Sequence, residues 1–373
     1  MKQQFDVIII GIGAMGSATA CHLAKRGKKV LGIDRYTPPH SLGSSHGQTR
    51  IIREAYFEDP QYVPIVQQAY ENWGKLEKEY GHPLYLQTGG LMMGEPGCDI
   101  VKGTILSAEL HHLQYEIINA KEIKKKFSAF NPSDKTIAVW ETRAGIIFPE
   151  EGIKAHITVA VKNNADFLFN EPAVSWQASG DGVCVTTSNG KYYADQLLLT
   201  AGAWLNNFLP GNELPLTVER QVLYWFEPAS KTNAFNPDKF PVFIWTPDND
   251  NDFYGFPDLG TGVKIARPHR SKPADPDTIN RNVKEEEIAV IKSLLQKYIP
   301  QANGRLLSTE VCMYTNTPDN HFRIFPHPQY QQVLAASICS GHGFKFSSAI
   351  GEILSDILLY KKTSFDLSLF GFH

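Results

Sequence analysis

The chain opens on an apolar, β-branched run at residues 5–10 (Phe-Asp-Val-Ile-Ile-Ile), whose near-continuous hydrophobicity suits a parallel strand buried on both faces. Residues 14–26 follow a helical pattern closed by Gly27, and residues 29–34 form a second apolar run that stops at Asp34. The opening unit is therefore β-α-β. Residues 63–80 carry apolar and aromatic side chains at helical spacing, whereas 84–148 break into short alternating runs with turn signals. A helix is expected over 155–165, then strands over 183–187 and 192–200 around a Ser188-Asn189-Gly190 turn, leading into Ala201-Gly202-Ala203-Trp204. The Pro-rich stretch 215–305 holds strand-like runs at 218–226 and 240–245 and one helix at Glu285–Tyr298; a strand at 332–337 and a helix at Ser347–Tyr360 follow.

This order predicts an α/β fold: a discontinuous Rossmann-type nucleotide-binding domain over 1–83, 149–214 and 306–373, interrupted twice by a sheet-rich α+β domain over 84–148 and 215–305. The length of 373 residues agrees with two domains of roughly 100 to 200 residues each. Residues 7–24 lack Asp, Glu, Lys and Arg, as a membrane span would, but Gly11, Gly13 and Gly16 interrupt the run, so no membrane association is expected. A hydrophobic content of 42% with 20% charged residues describes a globular chain, and a net charge of -3 offers no field for nucleic acid. The five cysteines show no Cys-x-x-Cys, which argues against a disulfide framework or a zinc site and for a reducing cytoplasm. His40, His111 and His112 have no partners at ligand spacing and are taken as ordinary core or surface residues, so no metal is expected.

Gly11-Ile12-Gly13-Ala14-Met15-Gly16 fits G-x-G-x-x-G directly after a strand and at the start of a helix. In that context the first glycine permits a tight turn, the second lets backbone approach a pyrophosphate, and the third allows close helix-strand packing. Asp34 follows Gly16 by 18 residues, at the end of the next strand, where a carboxylate accepts ribose hydroxyls. The pattern serves FAD or NAD alike and disfavours NADP.

Four further motifs, in order, carry a resemblance: Gly43-Ser44-Ser45-His46-Gly47-Gln48-Thr49-Arg50-Ile51-Ile52-Arg53; Tyr254-Gly255-Phe256-Pro257 with Lys264; Cys312-Met313-Tyr314-Thr315; and Ser340-Gly341-His342-Gly343-Phe344-Lys345-Phe346. Over nearly its whole length the chain resembles the monomeric sarcosine oxidase and N-methyltryptophan oxidase family, flavoenzymes of the D-amino-acid-oxidase-like fold. Ser45 and Gln48 stand where that family usually has His and Asp, and Arg267-Pro268 intervene before His269. The resemblance implies FAD, joined by a thioether from Cys312 to the flavin 8α carbon, with His46, Thr49, Arg50, Gly202, Gly341 and Gly343 around it. It implies Arg53 and Lys345 as a clamp for a substrate carboxylate with His269 nearby, Lys264 as the cation beside flavin N5 that promotes oxygen reduction, and Arg50, His46, Tyr254 and Tyr314 as further catalytic groups. It also implies a monomer acting on a small amino acid and O2.

Residue chemistry alone is less specific. A lone cysteine such as Cys312 is more often a buried hydrophobe, Lys345 reads as a solvated lysine on a glycine turn, and Lys264 points inward or outward by strand alternation. The activity the resemblance implies is oxidative demethylation of an N-methyl amino acid by O2, giving H2O2, formaldehyde and the primary amino acid, with sarcosine favoured. N-methyltryptophan or cyclic imino acid oxidation, a flavin dehydrogenase with a non-oxygen acceptor, an RNA-modifying flavoprotein and an NAD-dependent dehydrogenase are the competing readings.

Overall fold

The computed structural model describes residues 4–248, 251–268 and 272–372. Strand Gln4–Ile10 pairs in parallel with Val30–Ile33 on one side and Lys191–Leu199 on the other. Asp166–Leu168 extends this parallel core at one edge, and Val333–Ser337 lies beside the C-terminal half of Lys191–Leu199. Gly182–Thr187 and Ala173–Ser179 continue the sheet antiparallel, and Arg323–Pro326 pairs antiparallel with Val333–Ser337. Helices Ala14–Lys25, Pro149–Lys162 and Ser347–Tyr360 share one hydrophobic core over one face of this sheet with Tyr62–Tyr80. The helix expected at 155–165 begins earlier, because Pro149 at its first turn and Glu150-Glu151 beside it form a helix start.

A second sheet of eight strands runs in the order Leu306–Asn316, Thr217–Phe226, Val263–Ala266, Phe253–Phe256, Val242–Thr246, Gly90–Gly94, Ile137–Glu141, Glu116–Asn119. Every neighbouring pair is antiparallel except Val242–Thr246 with Gly90–Gly94. Residues 306–316 fall within the expected nucleotide-binding part, yet they pair along the length of Thr217–Phe226, so by strand pairing they go with 215–305. A small third sheet, Arg50–Ile52, Gly145–Ile147 and Tyr85–Gln87, joins the loop after the first βαβ unit to the second sheet's connections.

Alternation along the second sheet separates two environments. Val222, Tyr224, Phe226, Val263, Ile265, Phe243 and Trp245 pack with helix Glu285–Tyr298 on one face. Leu223, Trp225, Ala266 and Cys312 pack together on the other, as does Lys264 by its place in the strand. Both faces are covered, which is why a lysine in mid-strand is only 2% exposed. Among the described residues no helix is long and apolar enough to cross a membrane, and no group of His, Cys, Asp and Glu is arranged to hold a metal.

Candidate active site

A cavity of about 860 Å³ lies between the C-terminal ends of the first sheet's parallel strands and the second sheet, the position at which open α/β sheets bind ligands. At one end Gly11 turns at φ +93, a conformation that L side chains rarely adopt. A Cβ on Gly16 would fall 1.9 Å from the Gly11 carbonyl, so helix and strand pack only because it has none. Gly13 is different: a Cβ there would meet no protein atom within 4 Å, so its bare backbone faces open cavity. Asp34 accepts the Ile12 N–H at 2.7 Å on one oxygen and the Tyr36 N–H at 2.9 Å on the other, which leaves acceptor capacity for a hydroxyl. Gly202 lines the same end at φ +56. His40, expected to be an ordinary residue, is part of this wall, with Nδ1 accepting the Leu42 N–H and Nε2 4.0 Å from Asp34.

At the other end Arg50, Arg53, Tyr254, Tyr314, Gly341, Gly343 and Lys345 all line the cavity. Tyr254 and Tyr314 hydroxyls are 3.1 Å apart, and burial raises both phenols above their ordinary value. Gly341 lies against the Tyr314 ring, where a Cβ would come within 2.8 Å, and its φ of +77 completes the glycine requirement. Arg53 is 1% exposed; its guanidinium donates to the Ala55 carbonyl and to Glu58 at 2.6 Å and lies 4.0 Å from the Tyr56 ring centre. Lys345 is likewise buried, contrary to the solvated reading, donating to the His342 carbonyl at 2.7 Å and the Tyr56 hydroxyl at 3.2 Å. The structure thus brings Arg53 and Lys345 together on Tyr56. Burial, then Arg53, lowers Lys345 to about 7.

His46, Thr49, Cys312 and Lys264 are buried directly behind that wall, where Ser44, Ser45, Arg50 and Met313 line the cavity. His46 Nδ1 meets Glu310 at 2.9 Å, while its Nε2 is buried with no partner at hydrogen-bond geometry. Burial disfavours its charge, but Cys312 and Glu310 overcome that and raise it to about 9. The Cys312 thiol donates to the Ser44 carbonyl and has Arg50 Nη2 at 3.7 Å. Burial works to keep it protonated, yet His46 and Arg50 bring it below its ordinary value. Lys264 donates to the Gly47 carbonyl at 2.6 Å and to the Thr49 carbonyl and hydroxyl, both at 2.9 Å. Phe256 stands between it and the cavity, with the lysine nitrogen 4.5 Å from the ring centre. Burial and then Arg50 lower Lys264 well below the ordinary lysine value. His269 lies outside the described residues; Pro268 before it lines the cavity.

The chain matches the family model described as FAD dependent oxidoreductase over residues 6–357. The chain belongs to this FAD-dependent oxidoreductase family. Among its curated relatives are a monomeric sarcosine oxidase from Streptomyces avermitilis, 40% identical over 99% of this chain and 97% of that protein, and an N-methyl-L-tryptophan oxidase from Yersinia pestis, 33% identical over 98% of each. NikD, an amino acid oxidase of nikkomycin biosynthesis, shares the fold at a TM-score of 0.87 and 22% identity, covering 99% of this chain and 97% of its own.

The residues of this FAD-dependent oxidoreductase fit its cofactor. Gly13 leaves backbone open where a pyrophosphate needs it, Asp34 retains acceptor capacity at the ribose end, and buried polar atoms without partners, His46 Nε2 and Thr315 Oγ1, lie near the far end. Sequence reading did not single out Tyr56, Glu58 or Glu310. Glu310 had a signal, since it precedes Cys312 by two in a strand and so shares its face. Glu58 had none.

Proposed function

We propose that this chain oxidises N-methyl amino acids, sarcosine foremost, converting sarcosine, O2 and water to glycine, formaldehyde and H2O2. The names of the relatives, sarcosine oxidase at 40% identity and N-methyl-L-tryptophan oxidase at 33%, support the substrate class. The observation that carries it is the meeting of Arg53 and Lys345 on Tyr56 inside the cavity. Two cations in a water-poor wall suit a carboxylate.

When bound, FAD supplies the two-electron acceptor that O2 later reoxidises. Arg53 and Lys345 hold the carboxylate, which orients the N-methyl group. Tyr254 and Tyr314, whose phenols burial keeps protonated, offer hydrogen bonds and no base. The amine therefore reacts as the neutral form it adopts on binding, because a protonated nitrogen has no lone pair to support loss of the adjacent hydrogen. Arg50 adds positive charge where reduction builds negative charge, and Lys264 is the cation proposed to speed oxygen reduction. Cys312 is the proposed thioether anchor, and the lowered thiol supports it. A monomer in a reducing cytoplasm belongs to the same reading; all five cysteines are free thiols.

A peroxide-release screen against sarcosine, N-methylated larger amino acids, proline and pipecolate tests this. Sarcosine should give the highest kcat/KM. Equal turnover of N-methyl amines that lack a carboxylate would overturn the assignment.

A further inference from the structure

Arg53 follows a three-residue strand, Arg50–Ile52, and enters a loop with no regular secondary structure. A long side chain on such a loop needs an external support if it is to hold one geometry. The support comes from the other sheet. Glu141, the last residue of strand Ile137–Glu141, is 2% exposed and points both carboxylate oxygens at this loop. One oxygen accepts the Glu54 N–H at 2.7 Å and the other the Ala55 N–H at 3.0 Å. Arg53 Nη1 in turn donates to the Ala55 carbonyl at 3.0 Å. Ala55 is thus held by Glu141 through its N–H and holds Arg53 through its carbonyl.

From this chain of contacts we infer that Glu141 is a positioning residue that sets the Arg53 guanidinium for the substrate carboxylate, an inference that rests on the function proposed above. Two oxygens that both accept from N–H groups are the pattern of an ionised carboxylate; a protonated one would turn an O–H toward an N–H. Burial works toward protonation and moves Glu141 up to about 7, with the Glu54 and Ala55 N–H bonds pulling the other way. Arg143, on the turn that follows, pairs with the Glu54 side chain at 2.7 Å, but it is half exposed and adds little. Glu141 touches neither the cavity nor any reacting group, so its effect must pass through Arg53.

Glu141→Gln is the test, made in the FAD-loaded enzyme at pH 8. A glutamine keeps the shape but can accept only one of the two N–H groups and turns its own donors on the other. The expected result is full flavin loading, about a tenfold rise in the acetate dissociation constant read from the flavin spectrum and in the KM for sarcosine, and kcat within about threefold of wild type. In an Arg53→Ala background the same change should move acetate binding no further. Unaltered acetate affinity, or a fall in kcat and flavin loading without a change in KM, would remove Glu141 from this role. If Glu141→Gln yields no loaded protein, Glu141→Asp, which keeps the charge and shortens the reach, should show the KM rise in its place, and an unchanged KM there overturns the inference. Wild-type enzyme that neither binds acetate nor discriminates for a carboxylate would overturn the functional reading itself, and this inference with it.

Discussion

Lys345 Nζ stands 3.2 Å from the hydroxyl of Tyr56, the same ring over which the Arg53 guanidinium lies at 4.0 Å. Because burial and Arg53 lower Lys345 to about 7, the free enzyme loses that proton as pH rises through neutrality. A bound carboxylate favours the charged form and raises the value again. Carboxylate affinity should therefore be full below pH 7 and fall above it by up to about tenfold per unit, until the higher value of the complex is reached. Acetate titrations across pH 6 to 9 measure this. Lys345→Met should raise the dissociation constant by about one to two decades and flatten the profile; a profile that keeps its slope would assign the proton elsewhere.

The thiol of Cys312 is brought below its ordinary value by His46 and Arg50 against the effect of burial, and His46, raised to about 9, keeps its own charge over the neutral range. Covalent FAD should therefore form readily at pH 7. Acid-precipitated wild-type protein should stay yellow, with flavin mapped to Cys312 by peptide mass, and Cys312→Ala should release all its FAD. His46→Asn returns the thiol toward its ordinary range, where only a few per cent is thiolate at pH 7. Attachment should then slow by about tenfold or more, and a rate equal to wild type would remove His46 from the activation.

Some elements were legible because their signals are local. Helices Glu285–Tyr298 and Ser347–Tyr360 appear at the expected residues, and the glycine fingerprint sits between strand and helix as its spacing requires. The strand Leu306–Asn316 was not legible: its outer half is polar, and its partner Thr217–Phe226 lies some ninety residues earlier in the chain. Long-range pairing also hid the site's supports. Glu141 reaches Glu54 and Ala55 across more than eighty residues, and Lys345 reaches Tyr56 across 289. A buried lysine looks no different in sequence from a solvated one, so burial of Lys264 and Lys345 needed the two covered sheets to become visible.

Lys264 gives three hydrogen bonds to Gly47 and Thr49 and sits behind Phe256 rather than on the open cavity. In the proposed role, a charge there would act through a low-dielectric layer on oxygen reduced at the flavin. Lys264→Met should slow reoxidation of the reduced enzyme by about two to three orders of magnitude, with much less effect on anaerobic reduction by substrate. It also strands three buried acceptors, at a cost of about 1 to 3 kcal/mol each at most, so the melting temperature should fall as well. Stopped-flow traces in which both half-reactions slow equally would show a structural role only.

Retention of FAD should depend on a strap that crosses from the second sheet to the nucleotide end of the cavity. The strap is anchored at Ala274, whose N–H donates to the Val218 carbonyl. Farther along, Asp277 accepts from Arg35 at 2.8 Å and from the Trp204 indole at 2.9 Å. Arg281 donates to the carbonyls of Ser41, Leu42 and Val311. Arg35 and Trp204 line the cavity beside Asp34, so these contacts tie the strap to that end of the cavity. Asp277 is half exposed, and an exposed ion pair contributes about 0 to 1 kcal/mol. In a Cys312→Ala background, where FAD is free to leave, Asp277→Ala should therefore raise the release rate only by about fivefold. Arg281→Ala removes three bonds to backbone, each worth about 1 kcal/mol or more, and should raise it by tens of fold. Flavin fluorescence after dilution reads both rates. If the two variants release FAD as slowly as Cys312→Ala alone, the strap is a passive connection and retention belongs to the glycine turn and Asp34.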